Sequence, residues 1–316
     1  MKLAHISDLH LNSFYRNSNI RGIKYLLKYA LSRDSDHLVI TGDLTDNAEL
    51  SDLKILRSLF QSFNLLNGGR LSLTIGNHDI FGGVQTAEDI FLFPKRCTRI
   101  DYKKKVIEFV DYFNEAFENC VYISKNNFFP FAKLIDGILI VGLNSNAEYS
   151  RVKNPFASNG KISAEQLAET DFILRRFKDP GRTKILLIHH YFNKIKTSSR
   201  KQAFGLWQNM EKQTMKLRKK KRLFNLFNKY GVDIVLHGHY HENKEYYRNG
   251  IRFLNAGASV KNSNPGEVQI NFIEIKNGEI ITEIHKLISD SSIVVHRAVR
   301  ENIQPAVVEL NVAVNY

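Results

Sequence analysis

Leu38-Val39-Ile40-Thr41-Gly42-Asp43-Leu44-Thr45-Asp46 runs from a β-branched apolar stretch directly into a glycine and two carboxylates. Such a run reads as a buried strand, and the polar residues after it stand at its C-terminal end. The pattern recurs at Leu3 to Ile6, Leu71 to Ile75, Ile138 to Leu143, Ile185 to Ile188 and Asp233 to Leu236. Helical spacing lies between the first of these. Ile20, Ile23, Leu26, Leu27 and Leu31 share one helix face, and Leu53, Leu56, Leu59, Phe60 and Phe63 share another. Strand and helix alternate through the first 80 residues, which predicts βαβ units. Ser163-Ala164-Glu165-Gln166 fits a capping box that opens a helix running to about Phe177. Later, Val268 to Ile275 and Ile280 to His285 flank Lys276-Asn277-Gly278-Glu279, a hairpin signal. The expected fold is therefore α/β with a late antiparallel portion.

No internal repeat or low-complexity linker divides the 316 residues. The simplest division is one domain over 1–288, with a basic insertion at 194–228. A C-terminal extension, 289–316, has no clear period beyond a β-prone stretch from Val307 to Val314. Cys97 and Cys120 are too few for a disulfide framework. The first residues lack the apolar core of a signal peptide, and no apolar run is long enough for a membrane span. A cytoplasmic location is expected, with peripheral attachment to the inner membrane face as a variant. The formal net charge of +13 favours anionic partners.

Five groupings stand in order at strand ends: Asp8-Leu9-His10, Asp43 with Asp46, Asn77-His78-Asp79, His189-His190, and His239-Tyr240-His241. Singly, each is common in ordinary structure. Together they supply carboxylates, an amide oxygen and imidazoles, a donor set suited to Mn, Fe, Zn or related divalent ions.

The order D-x-H, G-D-x-x-D, G-N-H-D, H-H, G-H-x-H resembles the calcineurin-like metallophosphoesterase superfamily, over about residues 1 to 260. The resemblance implies a four-layer αββα fold, with two mixed β-sheets packed face to face and flanked by helices. It also implies two metal ions. One would be held by Asp8, His10, Asp43 and His241, and the other by Asp43, Asn77, His189 and His239, so that Asp43 bridges. Two cations about 3.5–4 Å apart clamp a phosphoryl group and activate a bridging water, whose hydroxide attacks phosphorus in line with the leaving group. His78 resembles the family histidine that contacts the phosphoryl oxygen or protonates the leaving oxygen, and Asp46 would orient it.

Other polar residues near these motifs read as structural. His5 lies inside a strand and belongs to the core. His237 precedes Gly238 in an apolar run, and Asp79 caps a turn. His190 either lines the substrate pocket or makes a hydrogen bond behind a ligand. Asn144 and Asn146 stand where an acidic residue is frequent in relatives.

From Lys194 to Arg222 there are eleven basic residues and one acidic residue, Glu211. Phe204, Leu206, Trp207 and Met210 precede the densest part, and Leu223, Phe224, Leu226 and Phe227 follow it. Two readings compete: an amphipathic element at an anionic membrane surface or over the site, and a helix whose apolar face packs on the core. Nucleic acid is disfavoured, because aromatic residues are not interleaved with the charges.

The expected activity is hydrolysis of a phosphodiester or phosphoanhydride bond in a phosphorylated anionic small molecule or lipid-linked substrate. The compact G-N-H-D and G-H-x-H motifs, with Gly160-Lys161-Ile162-Ser163 before a helix, look like the cyclic-nucleotide phosphodiesterase-like group. The basic insertion resembles membrane-surface UDP-2,3-diacylglucosamine diphosphatases of lipid A synthesis. A repair-type nuclease ranks third, since little chain remains for DNA-binding domains. A non-catalytic binding scaffold would be expected to lack a ligand or the His78 equivalent, and here all are present.

Overall fold

The computed structural model of the protein describes residues 1–14, 18–84, 87–192, 215, 217–260, 267–288, 292–298 and 310–312. Residues 194–214 and 216, most of the basic segment, therefore lie outside the described residues.

The N-terminal part runs β1 (Lys2–Ile6), α1 (Ser18–Ser32), β2 (His37–Thr41), α2 (Leu50–Ser62) and β3 (Leu71–Thr74). Short helices α3 (His78–Phe81), α4 (Ala87–Cys97) and α5 (Tyr102–Tyr112) follow, and then a 3-10 turn over Asn114–Phe117. Next come β4 (Tyr122–Ile123), β5 (Phe131–Ile135), β6 (Ile138–Gly142), β7 (Gly160–Lys161), α6 (Ala164–Arg176) and β8 (Lys184–Leu187). The last part contains β9 (Leu217–Arg218), α7 (Lys221–Tyr230), β10 (Ile234–His237), β11 (Lys244–Arg248) and β12 (Ile251–Asn255). It ends with β13 (Glu267–Lys276), β14 (Glu279–Ile288), β15 (Ser292–Ala298) and β16 (Leu310–Val312).

Two seven-stranded mixed sheets result. One has the order β16-β15-β14-β13-β1-β2-β3, the other β11-β12-β10-β8-β6-β5-β4. β1, β2 and β3 are parallel, as the alternation of strand and helix predicts. β13 pairs antiparallel with β1, in the register Leu3 to Ile273. The hairpin turns at Asn277 and Gly278, both at positive φ, and pairs Lys276 with Glu279. β15 and β16 carry the first sheet onward past β14.

In the second sheet, side-chain alternation along the strands sorts the residues between two cores. Its Ile138, Ile140, Ile185, Leu187, Ile234 and Leu236 share a cluster with Leu3, Val39 and Ile273 from one face of the first. The two sheets therefore pack face to face. Leu139, Val141, Leu186, Ile188 and Val235 point the other way, into a cluster with Ile173 and Leu174 of α6 and Leu223, Phe224 and Phe227 of α7. The apolar face of α7 is thus core, and only its Lys221, Arg222 and Lys229 side faces solvent. For this end of the basic segment, the packing reading is the one that holds.

Ser163 caps α6 by accepting from Gln166 N at 3.0 Å. The reciprocal half of the predicted capping box is missing. Gln166 instead spends its side chain on Asn144, accepting from Asn144 N and donating to Asn144 O, each at 2.8 Å. A bond that ties α6 to the end of β6 replaces a purely local one.

Lys133 of β5 is almost fully buried between the sheets. Its ammonium donates to Gly68 O at 2.9 Å, Leu71 O at 2.6 Å and Ala116 O, so one cation pins three carbonyls that end other elements. Burial pulls its pKa down to about 8. Replacing it by Met leaves those carbonyls without partners, and a loss of roughly 2–4 kcal/mol is expected from the urea midpoint. The pH dependence follows from the same burial. A lysine that titrates near 8 when folded and near its free value of about 10.4 when unfolded releases its proton on folding between those limits. Its contribution to stability therefore rises with pH across that window. The gap between wild type and the Met variant should widen from pH 8 to pH 10.

Candidate metal centre

The site lies where the C-terminal ends of both sheets meet. From the first sheet, Asp8 and His10 follow β1, Asp43 follows β2 and Asn77 follows β3. From the second, His189 follows β8, and His239 and His241 follow β10. The strand pairing does not stop at the strand ends. Asp8 N donates to Gly42 O at 3.1 Å, His10 N to Asp43 O at 3.1 Å and Leu11 N to Leu44 O at 3.0 Å. This zipper forces a left-handed backbone on Asp8, His10 and Asp43, with φ of 51°, 43° and 50°, and His239 on the facing sheet sits at 69°. Non-glycine residues pay roughly 1–2 kcal/mol each for that conformation, and such strain clusters at functional sites. Close approach is built in by glycine as well. A Cβ on Gly76 would stand 2.1 Å from Asp43 Oδ1.

Bonds across the two sheets hold the halves in register. His189 donates Nδ1–H to Thr41 O at 2.7 Å, which turns Nε2 toward Asp43 and His239. His239 N donates to both oxygens of Asp8, at 3.1 and 3.0 Å. Ring nitrogens then converge in pairs. His10 Nε2 and His241 Nε2 are 3.1 Å apart, and so are His239 Nδ1 and His189 Nε2. Asp43 Oδ2 stands 3.2 Å from His189 Nε2 and 3.9 Å from His10 Nε2, between the two pairs. Asp8 Oδ1 is 3.4 Å from His241 Nε2.

Three clusters of donor atoms therefore form: Asp8, His10 and His241; Asp43, His189 and His239; and His10, Asp46 and His78. The first two fit divalent cations on several grounds. Imidazole nitrogens face carboxylates at close range, and Asn77 Oδ1 is buried with no hydrogen-bond partner. Almost all of this is shielded from solvent. His241, with half its side chain exposed, is on the open side.

Asp46 does more than the sequence assigned to it. Its Oδ1 is 3.4 Å from Nδ1 of both His10 and His78, and its backbone carbonyl accepts from His78 Nδ1 at 3.0 Å. His78 N also donates to Asp43 Oδ1 at 2.8 Å. Nε2 of His78 makes none of these contacts.

Electrostatics follow the packing. Burial works against ionisation of Asp43, yet the adjacent His189, His78 and His10 hold its carboxyl well below the usual carboxylate range. Burial would also discharge His78, but the charges of Asp43 and Asp46 outweigh it and raise its pKa to about 10. His239 goes the other way: burial, with His190 and His189 beside it, keeps the ring neutral.

The neighbours take supporting places. His5 is buried against Thr41 Oγ1 at 2.9 Å, and His237 against Tyr246 Oη at 2.9 Å. Asp79 accepts from Thr45 N at 2.8 Å and Gly76 N at 2.9 Å, tying two site loops together. Asn146 donates to Ile75 O at 2.9 Å, just before the Asn77 turn. Motif spacing does not single out Thr41 or Ser145, which also shape the site. Their partners lie tens of residues away, so no local pattern could have shown them.

A family model for calcineurin-like phosphoesterases matches residues 1–243. The chain is 21% identical over 271 residues to a protein described as a probable cyclic nucleotide phosphodiesterase from Ruthia magnifica subsp. Calyptogena magnifica, covering 84% of this chain and 89% of that one. Its structure is similar to that of a dimetal phosphatase from Danio rerio, with a TM-score of 0.53, 10% identity and coverage of 99% and 98%. It is also similar to a purple acid phosphatase from yellow lupin seeds, Lupinus luteus, with a TM-score of 0.50 and 14% identity. That alignment covers 99% of this chain and 53% of the other. No helix among the described residues is long and apolar enough to cross a membrane. The shared fold and the family match over most of the length lead to one conclusion: the chain belongs to the calcineurin-like phosphoesterases, metal-dependent hydrolases of phosphoric esters.

Proposed function

We propose that this chain is a dinuclear phosphohydrolase acting on a phosphodiester or phosphoanhydride bond. Asp8, His10, Asp43 and His241 would hold one ion, and Asp43, Asn77, His189 and His239 the other. The observation that carries this reading is the position of Asp43 Oδ2, within 3.2 Å of His189 Nε2 and 3.9 Å of His10 Nε2, with one nitrogen pair on each side. Two divalent ions held there would lower the pKa of a shared water and neutralise phosphoryl charge. Mn, Fe and Zn all suit this donor set.

The side chains of the protein account for the rest of the chemistry. His78, held through Nδ1 by the Asp46 carbonyl, presents Nε2 to a phosphoryl or leaving oxygen and can deliver a proton there. Asp46 keeps that imidazole charged and steadies His10 at the same time. Burial of the ligands excludes bulk water, so these charges act at low dielectric.

The relative described as a probable cyclic nucleotide phosphodiesterase makes a nucleotide phosphodiester the first substrate to test. A lipid-linked diphosphate at a membrane surface is the second reading. Its support is narrower than the composition of residues 194–228 suggests, because Leu223, Phe224 and Phe227 are buried in the core. A Mn²⁺-supplemented panel of bis-p-nitrophenyl phosphate, cyclic AMP and a UDP-linked glycolipid decides between them. The two diesters are expected to turn over fastest, and hydrolysis confined to the glycolipid would overturn the diester assignment. EDTA should bring activity to background, and two equivalents of Mn²⁺ per chain should restore it. Full activity in the presence of chelator would sink the metal mechanism.

A further inference from the structure

The turn that carries Asn77 and His78 leaves the first sheet at its edge, since the strand order ends at β3. No further strand of that sheet lies beyond it to hold the turn. The anchor comes from the second sheet instead. Asn146, just past β6 and 5% exposed, sends its Nδ2 to Ile75 O at 2.9 Å, two residues before Asn77.

The donating amide is itself fixed by a closed set of bonds. Asn146 N and Nδ2 each donate to Asn144 Oδ1 at 3.0 Å. Asn144 Nδ2 donates to Tyr102 Oη at 3.0 Å, which directs the hydroxyl proton to Asn146 O at 2.9 Å. Gln166 clamps Asn144 through both of its backbone groups. With Ile75 O and Asn144 Oδ1 both accepting, the position calls for an amide nitrogen; a carboxylate there would face two oxygens. Tyr102 also meets the turn from its far side. Its ring lies 6.1 Å from that of Phe81, the last residue of the short helix that His78 opens.

Asn77 Oδ1 has no hydrogen bond of its own. Its direction is therefore set by the backbone of the turn, and an anchor two residues upstream matters more than it would for a ligand held by its own side-chain bonds. We propose that Asn146 is a positioning residue of the metal centre: through Ile75 O it fixes the turn that aims Asn77 at the second ion, with Asn144 and Tyr102 locking its amide. This inference rests on the ligand role given to Asn77 above.

Equilibrium dialysis of the full chain with Mn²⁺, followed by elemental analysis, tests it. Asn146→Leu removes the amide at similar volume, and Asn146→Asp keeps the shape but loses the donor. In both, the second ion is expected to bind roughly tenfold more weakly, with the first unchanged. The Mn²⁺ concentration for half-maximal activity should rise by the same factor, with saturating Mn²⁺ restoring most of kcat. The absorption bands of the Co²⁺-loaded protein should shift as well. Wild-type affinity for both ions and unchanged Co²⁺ bands in folded Asn146→Leu overturn the proposal. Equal weakening of both ions also does so, because it means general loosening. If the Asn146 variants do not fold, Tyr102→Phe decides. It keeps the ring on Phe81 and removes the hydroxyl, so it should weaken the second ion alone; unchanged binding refutes the anchor. Asn77→Ala separates the two readings. If it leaves both affinities intact, Asn77 is no ligand and the proposal falls with that assignment. If it weakens one ion while Asn146→Leu weakens neither, only the positioning role fails.

Discussion

Asp43→Asn is expected to cost about a thousandfold or more in kcat/KM, the rate equivalent of several kcal/mol of metal-borne charge stabilisation. Asn fits the left-handed backbone at this position as readily as Asp, so the loop conformation should survive. One amide oxygen could still accept from His78 N, as Asp43 Oδ1 does now at 2.8 Å. What disappears is the negative charge between His189 and His10. Elemental analysis should then find fewer than two ions per chain, with far-UV circular dichroism unchanged. A folded variant that keeps both ions and most of its activity would contradict the bridging role. Asp8→Asn makes a useful comparison: the imidazoles within 4 Å of Asp8 Oδ1 are those of His241 and His10, so it should weaken the ion they would hold more than the other.

His78→Ala separates the proton-transfer role from metal binding. Its ring belongs to the cluster with His10 and Asp46, outside the two groups that contain Asp8 and Asp43. Metal content should therefore stay at two per chain while turnover falls by about 10²–10⁴, the usual range for losing a general acid or a phosphoryl contact. The fall should shrink for substrates with good leaving groups such as p-nitrophenolate, which need no proton on departure. Equal losses for good and poor leaving groups would instead point to a phosphoryl contact. Normal turnover would remove His78 from the mechanism altogether.

Much of this architecture was legible along the chain, and the reasons are local. The apolar runs at Leu3, Leu38, Leu71, Ile138, Ile185 and Asp233 are short, β-branched and stopped by polar residues, and each became a strand within a residue or two. The motif residues follow directly from those strand ends. The helices between residues 78 and 117 were not read. α4 carries Pro94 inside it and leaves Phe91 and Leu92 exposed, which blurs its periodicity. α5 did have a signal, with Asp101 accepting from Lys104 N ahead of buried Val106, Phe109 and Val110. The residues behind the ligands were beyond sequence reasoning. Thr41 acts through its carbonyl, and Ser145 and Gly160 meet His190 only because two sheet ends converge. Gln166 shows the converse: its spacing fits a local cap, yet a distant backbone claims its side chain.

The pairing of β1 with β13 has a consequence for how the protein is made. Strand β1 waits for a neighbour about 270 positions downstream, and Ser7 is anchored by Ser259 through two bonds of 3.0 and 2.9 Å. At about 5–20 residues per second, a ribosome needs tens of seconds to deliver that partner. During this interval the β1 edge of the βαβ portion is open, and the loop with Asp8 and His10 lacks both Ser259 and the backbone of His239. The site loop thus gains its last partners only when Ser259 and β13 have left the exit tunnel and the sheet closes. Until then the growing polypeptide is the kind of client that chaperones shield, with β1 unpaired on one side.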